Sequence, residues 1–360
     1  MQPIKVKDMV IHEVSFAARL AKINAPENAA LKNSLGYIDY LDIGVDAKAL
    51  LPTRSKFRVD FTISDTCSGF ANGIRKCMME EIPIYSLELG EIVTNDAYVI
   101  SDVLQKNINL LPIIQDAYDL DDMKTWKFSL DVTNVTDRIM PVKSGSIKIS
   151  AKGKDIPIET FVSPNITIAE LRPTTNLKCK DFSIVVGMAQ DDAAKFASVS
   201  NTRYLISGPV PDEQNPGSSS LVENPREFRL GYTTYRNVND PKAIMRRVCE
   251  ALNGRLVAFM YELKEVRDVA ALMHFSNSLD IETRGDFKIF NFKNESWTLV
   301  NMISQYCYML DPSIPFVAPS IVHPSTSVGV VKIKHANPLR IIADAITHII
   351  SDIDILRKAF

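Results

Sequence analysis

An internal repeat, offset by 229 positions, constrains the fold of this chain more than any other feature of its sequence. The segment FANGIRKCMMEEIP begins at Phe70, and a segment of similar character, LVNMISQYCYMLDPSIP, begins at Leu299. The same offset aligns further pairs: Phe61 with Phe290, Asp65 with Asn294, Asn72 with Asn301 and Ile74 with Ile303. Self-similarity at a fixed offset is the signature of duplicated supersecondary units. The chain is therefore predicted to contain two related halves.

Each half is predicted to contain a strand, a short helix, further strands and a long helix that opens with an Asn/Asp-Pro pair. Alternating apolar and polar residues predict strands at 56–64 and 286–293. Apolar residues spaced by three and four predict long helices over 241–264 and 338–360. The two apolar stripes are Met245, Val248, Leu252, Leu256, Phe259 and Leu263, and Ile342, Ile346, Ile349, Ile353, Leu356 and Phe360. Such stripes are often the core of a single sheet, but their duplication favours packing of the two helices against each other.

Two regions fall outside this repeat. Residues 116–220 form a block of alternating segments with few helix signals, so the first half is predicted to carry a β-rich insertion that the second half lacks. At the N-terminus, Val10, Val14, Phe16 and Leu20 fit a helical spacing loosely. Residues 1–35 are treated as an extension.

Composition and motif spacing exclude several classes of function. The net charge is −2 and the pI is about 6.3, which argues against a surface built to bind nucleic acid. The five cysteines form no CxxC pair, so free thiols are expected and a metal site is not. No phosphate-binding loop, nucleophile elbow or zinc-protease motif occurs, and the histidines lack ligand spacing. No catalytic residue is predicted.

The segment from Phe61 to Ile113 resembles the alpha-like subunits of multisubunit RNA polymerase, a family that includes bacterial alpha, archaeal D and the third-largest subunit of polymerase II. The motif carrying the resemblance is FANGIRK followed by Glu81-Ile82-Pro83, and LLPI at the end of the segment matches as well. ITIAELRPTTNL and AKF within 166–196 resemble the second domain of the same family. This resemblance implies a polymerase subunit.

Residues from about 280 to 360 resemble the smaller partner, which is the eleventh subunit of polymerase II or archaeal L. NESWTLVNMISQ, VAPSIVHP and the terminal helix carry this likeness, although the Gly and Arg of the partner's TLGN-type motif are missing. The chain thus resembles the two assembly subunits fused, as in large cytoplasmic DNA viruses of the African swine fever virus type. The cysteine clusters that hold zinc or iron–sulfur in some members are absent, so no cofactor is expected.

The resemblance implies an α+β fold in which two alpha-subunit-type dimerisation halves form an intramolecular pseudo-dimer, with an inserted β-rich domain in the first half. The expected divisions are an N-terminal extension at 1–35, a first dimerisation domain at 36–115 plus 221–264, the insertion at 116–220, a connector at 265–280 that could itself be helical, and a second dimerisation domain at 281–360.

As a family member, the chain is expected to be a non-catalytic scaffold on which the two largest polymerase subunits dock. The first half and insertion would face the second-largest subunit and the second half the largest. Small zinc-binding subunits would join, without direct contact to DNA or membrane and without a homodimer. The expected interface residues are Phe70, Asn72, Ile74, Arg75, Lys76, Glu81, Pro83, Arg172, Lys195, Phe196, Val248, Leu252, Phe259, Asn301, Ile342, Ile346, Ile349 and Ile353.

Two other functions stay open from the residues alone. One is a free-standing nucleic-acid-binding module, which would need a basic groove with exposed aromatic side chains. The other is an enzyme of unrecognised class, which would need a pocket with acid–base residues. If the chain is viral, its expected locations are the host cytoplasm and the virion.

Overall fold

The structure is a computed structural model. It describes residues 2–14, 56–115, 120–206, 226–234, 236, 239–268, 278–323 and 326–360. This part of the chain contains both helices and antiparallel sheets, in agreement with the α+β prediction.

The strands are, in chain order, β1 (Lys5–Val14), β2 (Lys56–Thr66), β3 (Ile84–Glu88), β4 (Glu91–Thr94), β5 (Lys127–Thr133), β6 (Met140–Lys143), β7 (Ile147–Ala151), β8 (Lys154–Ile156), β9 (Thr167–Leu171), β10 (Asn176–Lys180), β11 (Ser183–Gly187), β12 (Ser200–Ile206), β13 (Arg226–Thr234), β14 (Leu279–Arg284), β15 (Phe287–Lys293), β16 (Phe316–His323) and β17 (Thr326–Lys334). The α-helices are α1 (Ser68–Glu80), α2 (Ser101–Asn109), α3 (Leu120–Met123), α4 (Ala243–Asp268), α5 (Trp297–Leu310) and α6 (Pro338–Ala359).

Two antiparallel sheets have matching strand order. The first runs β1-β2-β13-β12 and the second runs β14-β15-β17-β16. In each sheet the second strand is followed directly by a short helix, α1 or α5, and a long helix, α4 or α6, comes after the last strand along the chain. The aligned residues Phe61 and Phe290 are both buried, on β2 and β15.

Backbone geometry supplies independent support for the repeat. Asp65 and Asn294 are aligned by the 229-residue offset, and both adopt left-handed conformations, with φ of 64° and 59°. Asp and Asn are among the few non-glycine residues that tolerate this region. Asp65 is the penultimate residue of β2 and Asn294 directly follows β15, so both halves adopt this conformation just before the short helix.

The N-terminal segment is part of the first sheet. Lys5–Val14 forms β1 and pairs antiparallel with β2, from Lys5 opposite Ser64 to Val14 opposite Lys56. The loose helical spacing that begins at Val10 is therefore a wrong prediction for this stretch, because strand pairing with β2 overrides a weak local pattern. Phe16 and Leu20 lie outside the described residues. In the matching of the two sheets, β1 corresponds to β14.

A second set of strands builds a separate core. Its sheet has the order β4-β10-β5-β7-β8, accompanied by the pairs β6-β9 and β3-β11. The apolar residues packed here come from both sides of position 116, including Leu87, Leu104 and Ile108 from the earlier part and Phe128 and Leu171 from the later part. The other core is shared by the two matched sheets and helices α1, α4, α5 and α6.

The region predicted as a connector, 265–280, begins with the end of a helix and ends with the start of a strand. Helix α4 continues to Asp268, so the first four residues of 265–280 are helical, while β14 begins at Leu279. Residues 269–277 lie outside the described part of the chain. The terminal helix opens at Pro338 after Asn337, since proline has a fixed φ suited to a first helical turn and lacks an N–H that would go unpaired there.

Candidate subunit interfaces

The two short helices cross where glycine allows a close approach. A Cβ placed on Gly69 of α1 would lie 2.8 Å from Oε1 of Gln305 and 3.2 Å from the Cα of Met302, both on α5. The backbone N–H of Gly69 donates to the same Gln305 Oε1 over 2.7 Å. A Cβ on Gly73, one turn later, would collide with the Met302 side chain. Glycine at these positions therefore lets helices from the two halves meet.

The long helices join the same core, with each reaching the other half. Helix α4 contacts α6. The ring of Phe259 on α4 meets Phe292 on β15 edge-on, with centroids 4.9 Å apart. In the reverse direction, Phe360 at the end of α6 meets Phe61 on β2 edge-on, also at 4.9 Å. Arg246 of α4 donates to the carbonyl of Phe360 over 2.6 Å. The core is thus built by crossed packing of helix on sheet.

Both predicted stripes face this core. Val248, Leu252 and Phe259 on α4 are at most 2% exposed, and Ile342, Ile346, Ile349 and Ile353 on α6 are fully buried. Phe70 and Ile74 on α1 are fully buried as well. The structure therefore places nine predicted interface residues, three on α4, four on α6 and two on α1, in the same apolar core. All nine are buried within this chain and leave no surface for a contact with another chain.

A buried polar cluster ties the N-terminal segment and the first half to the second half. The hydroxyl of Tyr306 on α5 donates to Oδ2 of Asp352 on α6 over 2.7 Å and lies 3.4 Å from Oγ1 of Thr66. The backbone N–H of Ile4 donates to Oδ1 of Asp352 over 3.2 Å. Burial raises the pKa of Asp352, although its hydrogen bonds oppose the shift. This set is called cluster A.

A second cluster is ionic and also spans the halves. Nη1 of Arg255 on α4 donates to Oε2 of Glu295 over 3.1 Å, and Nη2 of Arg255 pairs with Glu81, the residue after α1. The side chain of Glu295 is 2% exposed. Its burial raises the pKa of Glu295 to about 7, against the opposing attraction of the Arg255 guanidinium. This set is called cluster B.

The raised pKa of Glu295 predicts how stability depends on pH. Above about 4.5 the unfolded chain releases this proton, whereas the folded chain keeps it until about pH 7. The free energy of unfolding should therefore fall as the pH rises through this window and level off above it. Urea midpoints at about pH 5 and about pH 8 measure the effect. Glu295→Gln, which cannot titrate, should show a flatter profile, and an unchanged slope would contradict the assignment.

Part of helix α1 faces outward and carries the predicted basic pair. Nε and Nη2 of Arg75 donate to Oδ1 of Asn72 over 3.1 and 2.9 Å, and Lys76 pairs with Glu80. Among the described residues the structure gives Arg75 no acidic partner. Asn301, the counterpart of Asn72, contacts Gln305 one turn away at 3.5 Å. Pro83 after α1 is exposed. These residues are accessible to a partner.

The remaining predicted residues lie around the second core. Arg172 donates through its N–H and Nε to Asp96, at 2.8 and 3.1 Å, and its guanidinium lies 3.8 Å from the ring centroid of Tyr98. These hydrogen bonds, led by the Arg172 N–H, lower the pKa of Asp96 to about 2. The arrangement borders a groove of about 540 Å³ between α2 and β9, into which the largely exposed Tyr98, Ile100 and Ile139 project.

Lys195 and Phe196 are buried where the two cores meet. Lys195 is 9% exposed and Phe196 is 7% exposed, and Nζ of Lys195 lies 3.4 Å from a carboxylate oxygen of Glu88. The ring of Phe196 covers Gly187, where an added Cβ would be 2.4 Å from it. These two side chains pack within the chain, and the predicted contact with another subunit would need a different surface.

Sequence reasoning missed the polar residues of both clusters except Glu81. Arg255 and Asp352 interrupt otherwise apolar helix faces, and the offset of 97 that aligns Asp240-Pro241 with Asn337-Pro338 also aligns these two. An alignment of the two long helices at this offset would have shown that a charged residue occupies the same position in both apolar faces. Gly69 was missed because a glycine's neighbours are not visible in sequence.

In the described part of the chain, no group of three His, Cys, Asp or Glu side chains is placed to hold a metal ion. All five cysteines are free, and Cys67 is half-buried while the other four are buried. No helix among the described residues has the length and hydropathy needed to cross a membrane.

Comparison with known proteins agrees with this architecture. Residues 288–359 match the RNA polymerase Rpb3/Rpb11 dimerisation domain. Two curated relatives from African swine fever virus, a warthog isolate from Namibia and a tick isolate from South Africa, are each 21% identical over 308 residues, covering 80% of this chain and 83% of the relative. Both are named DNA-directed RNA polymerase RPB3-11 homolog.

An archaeal relative matches a shorter part. The DNA-directed RNA polymerase subunit Rpo3 of Pyrococcus furiosus is 23% identical over 130 residues, covering 36% of this chain and 47% of the relative. The domain match falls in the second half of the chain, while the viral relatives extend over most of it. Taken with the two matched sheets and their crossed helices, these likenesses show that the chain is similar to polymerase subunits of the Rpb3/Rpb11 type, in its second half to the dimerisation domain and over most of its length to the viral RPB3-11 homologs.

Proposed function

We propose that this chain is a non-catalytic assembly subunit of a DNA-directed RNA polymerase. The observation that carries the proposal is the pair of matched sheets whose helices share one core, in a chain whose second half matches the Rpb3/Rpb11 dimerisation domain. The relatives named as polymerase subunits support the same conclusion. The chain has no catalytic site of its own in this proposal.

The two halves act as an intramolecular pseudo-dimer. The crossed packing of Phe259 on Phe292 and of Phe360 on Phe61 supports this arrangement, because each long helix covers the sheet of the other half. Fusion replaces a bimolecular association by one at an effective concentration of order mM. It also fixes the stoichiometry at one to one, so that every chain offers both docking surfaces together.

The division of the chain follows from the two cores. The strands β1, β2, β12 and β13 with α1 and α4 make the first dimerisation half, and everything from β14 onward makes the second. The inserted domain then begins near β3, earlier than the predicted position 116, because Leu87, Leu104 and Ile108 pack in the second core. Residues 2–14 belong to the first half in this scheme.

The mechanism is templating of the two largest subunits. A polymerase active site that is divided between two large chains forms only when they are held in a fixed orientation, and obligate interfaces that do this bury about 2,000 Å² or more. The outward face of α1 and the inserted domain are proposed for the second-largest subunit, and the sheet of the second half for the largest. Small zinc-binding subunits complete the assembly, which we place in the host cytoplasm and the virion.

Affinity purification of the tagged full-length chain from cells that make the whole polymerase tests this function. The expected result is recovery of both largest subunits in amounts equal to the chain. Recovery of the chain alone, or with nucleic acid in place of proteins, would overturn the proposal. Recovery of the chain with nucleic acid but without the large subunits would favour the nucleic-acid-binding alternative.

Charge reversal on α1 tests the proposed contact with the second-largest subunit. Arg75 contacts Asn72 and Met79 within its own helix, so Arg75→Glu should leave the fold intact. A lost charge-assisted contact in an interface costs about 2 kcal/mol or more, which weakens binding about 30-fold. Copurification with the second-largest subunit should fall accordingly. Arg340→Glu, which reverses an exposed charge on α6 outside both proposed docking surfaces, is the matched control. Equal recovery with both variants would rule out a role for Arg75.

A further inference from the structure

Clusters A and B occupy equivalent positions in the two halves. The 229-residue offset aligns Thr66 with Glu295 and Cys77 with Tyr306, while the offset of 97 aligns Arg255 with Asp352. In cluster A, Tyr306 and Asp352 of the second half meet Thr66 of the first. In cluster B, Arg255 of the first half meets Glu295 of the second. Each cluster therefore combines a long-helix residue of one half with the residue two positions before the short helix of the other.

The chemistry of the two clusters is different despite this equivalence. In cluster A the Asp352 carboxylate accepts from the Tyr306 hydroxyl and the Ile4 N–H, and Thr66 contacts Tyr306; among the described residues no basic side chain is hydrogen-bonded to this carboxylate. Cluster B places one guanidinium between two carboxylates, those of Glu295 and Glu81. The basic residue of the first half thus occupies the position at which the second half carries an acid.

This difference matters for pairings other than the one in the structure. If two second halves met, Glu295 of one would face Asp352 of the other in a buried site, with no Arg255 between them. If two first halves met, Arg255 would face Thr66 and lose one of its two carboxylates. Like charges repel strongly in a buried site, and an ion pair that loses one partner leaves the remaining charge poorly compensated. Only the mixed pairing places Arg255 against Glu295.

We infer that Arg255 and Glu295 form a specificity-determining pair that makes a first half accept a second half and reject a copy of itself. The inference rests on the proposed pseudo-dimer. Its selectivity comes from the penalty on the wrong pairings as well as from the ion pair itself. The partner that is selected is therefore the other half of this chain, and the partner that is rejected is the same half of another copy.

A charge exchange within one chain tests the pair. At about pH 8, where Glu295 is ionised, Arg255→Glu should lower the Tm of the purified full-length chain by roughly 5–10 °C, because it leaves three acids in a buried cluster. Glu295→Arg should lower it similarly. The double variant Arg255→Glu/Glu295→Arg should recover at least half of that loss. A double variant no more stable than the weaker single variant would overturn the inference.

The exposed pair Arg357 and Asp354 on α6 is the matched control for this exchange. Exchanging those two charges should change the Tm by no more than about 2 °C, since exposed ion pairs contribute little. If the control pair behaves like Arg255 and Glu295, the cluster has no special role and the inference fails.

Selection of partners, as opposed to stability, is tested between chains. Chains with Arg255→Glu and chains with Glu295→Arg, carrying different tags, are expressed together. Within either chain like charges meet, but when the chains exchange halves the introduced glutamate faces the introduced arginine, and the native pair re-forms. The ten residues that separate Asp268 from Leu279 have a maximum extended reach of roughly 35 Å.

The expected product is a dimer of twice the 40.2 kDa chain mass that is retained through both tags. Two wild-type chains with the same tags should remain separate and set the background. Recovery at that background level would overturn the specificity role, even if the double variant within one chain is stable. Neither measurement uses polymerase subunits, so failure of the proposed function and failure of this inference are observed separately.

Discussion

Replacing Ile349 with aspartate is expected to lower the free energy of unfolding by about 5 kcal/mol or more. Ile349 lies at the centre of the apolar stripe on α6 and is fully buried in the core shared by the two halves. The substitution removes a large apolar side chain and puts a carboxylate into a core of apolar side chains. Since whole proteins are stable by only about 5–15 kcal/mol, the two halves should separate or unfold.

Thermal melting of the purified chain measures this effect, with mass measurement to detect association of the exposed helix faces. Ser351→Asp, two residues further along the same helix, is the matched control because Ser351 is exposed. The control should melt within about 2 °C of the native chain, as surface substitutions usually do. An Ile349→Asp variant with an unaltered melting curve would refute the shared core and with it the pseudo-dimer.

The second large effect is expected at the crossing of the short helices. Gly69→Leu would insert a side chain where a Cβ alone already lies 3.2 Å from the Met302 Cα and 2.8 Å from the Gln305 amide oxygen. Overpacking costs about 1–3 kcal/mol, and displacement of α5 would also break the hydrogen bond from Gly69 to Gln305. The combined loss should be about 3 kcal/mol, measured by urea unfolding.

Gly254 provides a matched control on α4. It is also a helical glycine, but no atom lies within 4 Å of a Cβ added there. Gly254→Leu should therefore stabilise the chain by up to about 1 kcal/mol, because glycine is a poor helix former. If both leucine substitutions shift the urea midpoint in the same direction, the loss at Gly69 cannot be attributed to helix crossing.

Local patterns predicted the helices well. The apolar spacing from Met245 to Leu263 predicted α4, and the spacing from Ile342 to Phe360 predicted α6, because residues three and four apart share one face of any helix. The Asn-Pro pair before α6 predicted where that helix begins. The 229-residue repeat predicted two related units, and the left-handed Asp65 and Asn294 confirm the alignment at the level of the backbone.

The pairing of strands and the position at which the insertion begins were harder to predict from the sequence. Lys5–Val14 carries only a weak alternation, and its role as β1 depends on the hydrogen bonds that β2 offers from more than forty residues away. Leu87 and Leu104 pack in the second core, but they precede position 116 and were therefore assigned to the first half from sequence order. Their partners on β5 and β9 lie further along the chain, so only the folded arrangement assigns them.

The sequence by itself predicted two related halves, an insertion in the first, and two long helices with one apolar face each, and the structure contains the two matched sheets and both helices. These features depend on the order and spacing of residues, which act locally. Only the tertiary structure decided which sheet each helix face packs against. It places Phe360 on the first sheet and Arg255 beside Glu295. Such contacts join residues from distant parts of the chain, and no local spacing encodes their distance, burial or charge balance.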